Sequence, residues 1–361
     1  MHNSRKYNFG AGPATLPTSV LEEVKEELLD WKGRGLSVLE ISHRTDEYNE
    51  IAVQAEQDFR DLLSIPSTYA VLFTHGGATL QNSAVPLNLS SPAGEVSYVN
   101  SGHWARLSIE EAKKYTNVKI AASSEEENFS FFPPQSTWEL SDKQDYIHIT
   151  PNETIGGIAL RKVEKEDIPI VADFSSSILS EYVDIESFGL LYGGAQKNIG
   201  PAGLGFVIVD KELLGSAQET TPSPMNYFKL DESSSMYNTP PTFSWYVAGK
   251  VFKWLKGKGG VKAIGQMNER KAKKLYEFID KSDFYSNKIE ESSRSIMNIP
   301  FLLEKEELNR KFLTDSSNNG LIALKGHRSV GGMRASIYNA MPEEGVDALI
   351  EFMKLFEKEN L

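Results

Sequence analysis

The stretch GGAQKNIGPAGLG, Gly193 to Gly205, is a glycine-rich turn with one central amine, Lys197. A solvated surface lysine is the ordinary reading of such a residue. Here apolar runs flank the turn, LLYGG before it and GLGFVIVD after it, so the amine belongs at the rim of a core. The small residues around it leave room for a bulky partner. Lost hydration lowers a lysine pKa toward nucleophilic use, and such lysines form Schiff bases with carbonyl compounds. Asp173 ends the run IPIVADF, which reads as a buried strand. A carboxylate there needs a cationic or hydrogen-bonding partner. That partner is either a structural cation or a protonated pyridine nitrogen, which the carboxylate would keep protonated so that the ring draws electrons.

Three weaker signals accompany this pair. In THGGATLQNSA, Gly76 and Gly77 precede a helix start, where free N–H groups suit a phosphate, although many such turns only cap an element. Trp104 in NSGHWAR is either a core residue or a flat ring beside a pyridine face. Thr154 in PNETIGG puts a hydroxyl at a strand-end turn, within reach of a phenolic oxygen. No one of the five decides the matter. Together they are the set that pyridoxal phosphate needs.

The elements that must position these residues are legible in the periodicity. SVLEEVKEELLDWKG reads as an amphipathic helix with Val20, Leu21, Val24, Leu28 and Trp31 on one face and a capping box from Ser19 and Glu22. A second helix places Ile51, Ala55, Phe59 and Leu62 at helical spacing. Short apolar runs then end in polar or glycine turns: YAVLFTHGG, GEVSYVNSGHW, DYIHITPNET, IPIVADFSSS, LLYGGAQKN and GLGFVIVD. Helical stretches such as WARLSIEEAKKY lie between several of them. Alternating strands and helices predict an α/β fold with a mostly parallel sheet covered on both faces, and ligands in such sheets bind at the carboxyl ends of strands. Glu219–Phe243 reads as one long Ser/Thr/Pro-rich loop, a length usual for functional or disordered segments. From about Val261 a smaller α/β domain follows, closed by a helix with Val346, Leu349, Ile350, Met353 and Phe356 on one face.

Composition narrows the function class. The 361 residues fit one large domain or two unequal ones and can bury a full core. Cysteine is absent, which excludes disulfides, thiolate metal sites and a cysteine nucleophile; no metal is called for. The first residues contain no signal-peptide core and no run approaches a membrane span, so a cytoplasmic enzyme is expected. A net charge of −12 argues against a nucleic-acid partner. An anionic substrate would need a local cluster of Arg and His.

Seven motifs, FGAGPATLP, ISHRTDEYNEI, PNETIGG, VADFSSS, GGAQKNIGPAGLG, YNTPPTFSWYV and GHRSVGGMRASIYNAMPEEGV, resemble those of the phosphoserine aminotransferase family, class V, fold type I pyridoxal-phosphate enzymes. They run in family order from near residue 7 to residue 346. The resemblance implies a cofactor domain at 17–257 and a smaller domain made of 1–16 and 258–361. It implies that Lys197 carries pyridoxal 5'-phosphate and moves the substrate proton, with Asp173 on the ring nitrogen, Trp104 stacked on the ring and Thr154 beside it. Gly77, Ala78 and Gln196 would hold the cofactor phosphate. Asn238 and Thr239 would complete that site in a second copy of the chain, which makes a homodimer. His43, Arg44, His327 and Arg328 would bind the substrate phosphate, and Arg334 the α-carboxylate. The implied reaction moves the amino group of L-glutamate to 3-phosphohydroxypyruvate, in serine biosynthesis. Some relatives also act on 3-hydroxy-2-oxo-4-phosphooxybutanoate, in vitamin B6 synthesis. The alternatives are another class V transaminase and a non-catalytic pyridoxal-phosphate-binding protein. Two positions depart from some family members: Ala11 stands where they have serine, and Ala78 where they have an arginine on the substrate phosphate. The second departure leaves open how many groups hold that phosphate.

Overall fold

Strands that are apolar along their whole length need cover on both faces, and the chain supplies it with helices. The computed structural model describes residues 5–361, so residues 1–4 of the expected small-domain segment lie outside the described residues. In chain order the strands are β1 (Tyr7–Asn8), β2 (Tyr69–His75), β3 (Glu95–Asn100), β4 (Asn117–Ser123), β5 (Ile147–Ile149), β6 (Asn152–Glu153), β7 (Ile158–Ala159), β8 (Ile170–Asp173), β9 (Leu190–Gly194), β10 (Leu204–Asp210), β11 (Tyr285–Ser286), β12 (Asn298–Leu303), β13 (Leu321–Ile322) and β14 (Met333–Ser336). The α-helices are α1 (Thr18–Glu27), α2 (Asp46–Leu63), α3 (Gly77–Leu89), α4 (His103–Ala112), α5 (Tyr227–Glu232), α6 (Thr242–Gly257), α7 (Gly260–Asp280), α8 (Asn309–Asn318) and α9 (Glu343–Asn360).

Seven strands form the main sheet in the order β2-β10-β9-β8-β5-β3-β4. All neighbours run parallel except β10, which is antiparallel to both β2 and β9. The parallel strands therefore release their carboxyl ends at one edge. His75, Asn100, Ser123, Ile149, Asp173 and Gly194 are those ends, and the chemistry-bearing residues lie on several of them or shortly after them.

The second core is separate in composition. A three-stranded antiparallel sheet, β11-β12-β14, packs with α7, α8 and α9 around Phe301, Phe312, Leu349, Met353 and Phe356, and Phe9 joins it from the N-terminal arm. All five apolar residues expected on the last helix are buried. α7 passes between the two cores: Val261 and Ile264 belong to the first, Leu275 and Ile279 to the second.

Three local expectations are corrected. The capping box from Ser19 and Glu22 does not form. Pro17, at φ −59, stands at the N-cap and α1 starts at Thr18, so Ser19 is already inside the first turn. Trp31 lies beyond the helix in a short 3₁₀ turn, yet is buried. The stretch 219–243 is not one open loop: α5 interrupts it, because Asn226 caps Lys229 N and Tyr227 with Leu230 supplies a buried face. The edge strand β4 had no periodic signal, since only Ala121 of its residues is buried.

Candidate active site

Lys197 follows β9 in the tight turn that leads to β10, and the carboxyl ends beside it wall a cavity of about 360 Å3. Gly77, Ala78, Trp104, Thr150, Thr154, Asp173, Ser175, Ser176, Gln196 and Lys197 all line that cavity. The amine is buried and donates to Thr154 Oγ1 at 2.6 Å and Ser176 Oγ at 2.7 Å. These two hydroxyls are themselves 2.5 Å apart. The Trp104 ring centroid lies 6.0 Å from Lys197 Nζ. Asp173 accepts from Ser175 N at 2.9 Å and Ser175 Oγ at 2.5 Å, both on Oδ1, which leaves Oδ2 for a partner inside the cavity.

Burial dominates the electrostatics. It pulls the Lys197 amine down to about 8, against the pull of Asp173 and Glu153, with Arg334 adding a small push in the same direction as burial. Burial holds the Asp173 carboxyl above its ordinary value, against the opposing effects of Lys197 and Ser175. The Glu153 carboxyl is pushed up to about 7 by burial, although it accepts from the N–H groups of Trp104 and Ala105 at the start of α4. An amine near neutrality beside carboxyl groups held above their usual range is an arrangement suited to proton transfer.

The cavity fits a phosphorylated pyridine aldehyde. Its volume is in the range of small-ligand sites. Thr150 Oγ1 and Trp104 Nε1 are buried polar atoms without partners on its wall. At one end Gly76 and Gly77 take φ of 76° and 61°, and the start of α3 lines the cavity, where the unpaired N–H groups of a helix start suit a phosphate. A side chain at Gly205 on β10 would meet Thr74 Oγ1 at 2.6 Å and Gly77 Cα at 3.2 Å, so β10 packs bare against the Gly77 turn.

Of the residues expected at the cofactor, Gly77, Ala78, Trp104, Thr154, Asp173, Gln196 and Lys197 come together on this wall. Asn238 and Thr239 do not line it; Asn238 is exposed, with Nδ2 3.5 Å from His75 Nε2 at the end of β2. Arg334 reaches in from β14 and donates through Nη1 to Thr154 O at 3.4 Å, while its buried Nε has no partner. Burial lowers its pKa from the ordinary value. Among the described residues no hydrogen bond or ring contact joins His43 and Arg44 to His327 and Arg328. His43 and Arg44 sit in the turn before α2, and the His327 ring lies 5.4 Å from His103. Arg328 is exposed.

Sequence reading missed Glu153, Ser175, Ser176 and His103. The serines lie in the quoted VADFSSS and Glu153 in PNETIGG, but no spacing rule marks them. Glu153 meets Trp104 and Ala105 across 49 and 48 residues of chain, a pairing only the sheet order creates.

Known proteins share this fold. The Aminotransferase class-V family model matches residues 6–349. A phosphoserine aminotransferase of Hahella chejuensis is 54% identical, with 99% of each chain covered. The solved phosphoserine aminotransferase of Bacillus circulans subsp. alkalophilus superposes with a TM-score of 0.97 at 41% identity, over 99% of this chain and 100% of that one. A structure of phosphoserine aminotransferase concerned with radiation damage of its Schiff base gives a TM-score of 0.96 at 43% identity, over 99% and 100% of the two chains. Matching over nearly its whole length, this α/β chain has the fold type I architecture and belongs to the phosphoserine aminotransferase family of class V aminotransferases.

Proposed function

We propose that the chain transfers the amino group of L-glutamate to 3-phosphohydroxypyruvate, giving O-phospho-L-serine and 2-oxoglutarate, with pyridoxal 5'-phosphate held in the cavity around Lys197. The observation that carries this reading is the buried Lys197 amine, lowered to about 8, sharing one cavity with Asp173, Trp104 and the Gly76–Gly77 helix start. When bound, the cofactor supplies an aldehyde for the amino group and a ring that withdraws electrons.

The chain's own residues do the rest. Thr154 and Ser176 hold the Lys197 amine by two hydrogen bonds, with Nζ in the cavity where the substrate Cα–H would be presented. With its pKa near 8, part of the amine population is neutral at physiological pH and able to take that proton. Asp173, fixed by Ser175 on one oxygen, offers the other to a ring N–H. Trp104 provides a flat wall, steadied from behind by Glu153. Gly77, Ala78 and Gln196 receive the cofactor phosphate. Arg334, with Nε free, takes the α-carboxylate and so orients the Cα–H.

A homodimer completes this reading. His43, Arg44, His327 and Arg328 read the substrate phosphate where a second copy brings the two segments together, and Asn238 with Thr239 reaches the neighbour's cofactor phosphate. The cofactor domain at 17–257, the smaller domain of 1–16 and 258–361, and a cytoplasmic setting belong to the same proposal. Among the described residues no helix is long and apolar enough to cross a membrane. The test is the visible absorbance of the purified protein, before and after L-glutamate, then after 3-phosphohydroxypyruvate. Glutamate should convert the band and the phosphorylated keto acid should restore it. Restoration by glyoxylate or pyruvate, and not by 3-phosphohydroxypyruvate, would replace the substrate assignment.

A further inference from the structure

Lys271, on α7, is fully buried without a carboxylate. Its Nζ donates to the carbonyl oxygens of Ile337, Tyr338 and Met341 at 3.0, 2.9 and 3.0 Å. The nearest acid acting on it, Glu343 at the start of α9, is bound to Arg270 and Lys274 instead. Burial alone pulls the amine down to about 7, with Glu343 opposing. The geometry resists that loss of charge. Three carbonyls need three N–H donors, and a neutral amine has two. A buried ammonium spent wholly on one turn of backbone calls for an explanation beyond filling space, since an apolar side chain would fill it at lower desolvation cost.

The turn it holds, Ile337 to Met341, follows directly on β14, the strand that carries Arg334. Within it is Asn339, which is buried and bonded across to the turns that follow β8 and β9. Its backbone N donates to Asn198 Oδ1 at 3.0 Å, and its Nδ2 donates to Leu179 O at 2.9 Å. Its Oδ1 accepts from Asn268 Nδ2 at 2.8 Å, and that same amide donates to Ser180 O at 2.9 Å. Asn198 donates onward to Ile178 O at 3.0 Å. Asn198 is the residue after Lys197, and the segment it grips begins at Ser176, a hydrogen-bond partner of the Lys197 amine. One continuous set of buried hydrogen bonds thus joins α7, the end of the arginine strand, the lysine turn at Asn198 and the segment after β8.

We propose that Lys271 and Asn339 are positioning residues for transamination: acting through Asn198, they fix where the Lys197 amine stands relative to Arg334. The inference rests on the proposed roles of Lys197 and Arg334. Charge-assisted bonds to three carbonyls hold the turn stiffly, and a rigid turn gives Asn339 one register against Asn198. The lysine touches neither cofactor nor substrate; it sets the frame between the two groups that do.

The test uses the holoenzyme and two variants, Lys271→Met and Asn339→Ala, each measured in three ways. The first is thermal midpoint. The second is the glutamate half-reaction at saturating glutamate. The third is the pH at which the visible band of the lysine-bound cofactor changes, which reports the surroundings of the Lys197 nitrogen whatever the substrate. Asn339→Ala leaves the three Lys271 bonds in place and cuts only the bridge, so it reads the proposal even where Lys271→Met folds poorly. Both variants should lose roughly 10- to 100-fold in the saturating half-reaction, the scale for a displaced reacting group, and both should shift the band's pH midpoint in the same direction. Folded variants that lose thermal stability but keep the wild-type rate and midpoint would reduce the cluster to a fold-stabilising one, as would failure of both to fold. A wild-type enzyme that does not turn over glutamate would sink the proposed function instead, while the midpoint comparison would still report on positioning.

Discussion

Replacing Glu153 with glutamine asks whether the charge beneath the start of α4 is held there against its own preference. Glu153 is fully buried and accepts from Trp104 N at 3.0 Å and Ala105 N at 2.8 Å. Burial pushes its pKa from 4.5 up to about 7; the two N–H groups and Lys197 pull down, and Asp173 pushes up. The folded value stands above the unfolded one, so the native chain binds the extra proton between them. Stability from this group is therefore present below about pH 4.5, falls as pH rises toward about 7, and levels off above it. Between roughly pH 5 and pH 8 that displacement amounts to ~2–3 kcal/mol. Glutamine removes the titration, and its single oxygen serves two N–H groups poorly, at a pH-independent cost of ~1–3 kcal/mol. Relative to the wild type, Glu153→Gln should thus be weakest in acid and recover, or overtake, in alkali. The assay is urea unfolding of cofactor-free protein across that range, compared as the difference between the two chains so that titrating groups remote from Glu153 cancel. A difference that stays flat with pH would refute the reasoning.

Further outcomes are expected at the same site. Lys197→Ala should lose the visible band and nearly all turnover, and borohydride reduction followed by peptide mapping should place the cofactor on Lys197 and no other lysine. Asp173→Asn keeps the shape and removes the charge proposed to face the ring nitrogen; the glutamate half-reaction should slow by orders of magnitude, and a change of only a few-fold with cofactor fully bound would contradict that role. Arg328→Ala should weaken kcat/KM for O-phosphoserine more than for glutamate, by about one to two powers of ten if one charged hydrogen bond worth ~1.5–3 kcal/mol is lost; equal losses would remove the evidence that this segment reads phosphate. Mixing Lys197→Ala with Thr239→Asp chains should regenerate activity in heterodimers, and no recovery after proven subunit exchange would assign the 238–239 segment to its own chain.

Much of the cofactor wall was legible because each of its residues follows an apolar run at the same end of a parallel strand. Asp173 after IPIVA and Lys197 after LLYGG are marked by what precedes them. Glu153 was not, for its partners belong to α4 and nothing local requires a carboxylate there. Lys271 was equally silent, since a lysine at helical spacing reads as a solvated face and only the packing of the 337–341 turn buries it. The arginines and histidines proposed for the substrate phosphate come from family motif and not from physics; among the described residues no hydrogen bond or ring contact joins their two segments. The α1 capping box failed because Pro17 moved the helix start one residue ahead of the serine. β4 escaped notice because an exposed edge strand carries little apolar pattern.

The one reversed strand, β10, dictates how long the connection after it must be. The chain leaves the Lys197 turn and runs along β10 away from the edge where the site lies, so that Lys211 N ends up bonded to Thr68 O, beside the opposite end of β2. Asn238 nevertheless stands next to His75, back at the edge that β10 left. Seven residues of antiparallel strand cover about 24 Å, at ~3.4 Å each, and the chain must retrace all of it without entering the sheet. The Ser/Pro-rich stretch from 211 to 238, with α5 pinned against α3 by the Tyr227 hydroxyl on Gln81, is that return path. Its span is a matter of route, not of slack: a shortened version would leave all seven strands paired and still fall short of bringing residue 238 home.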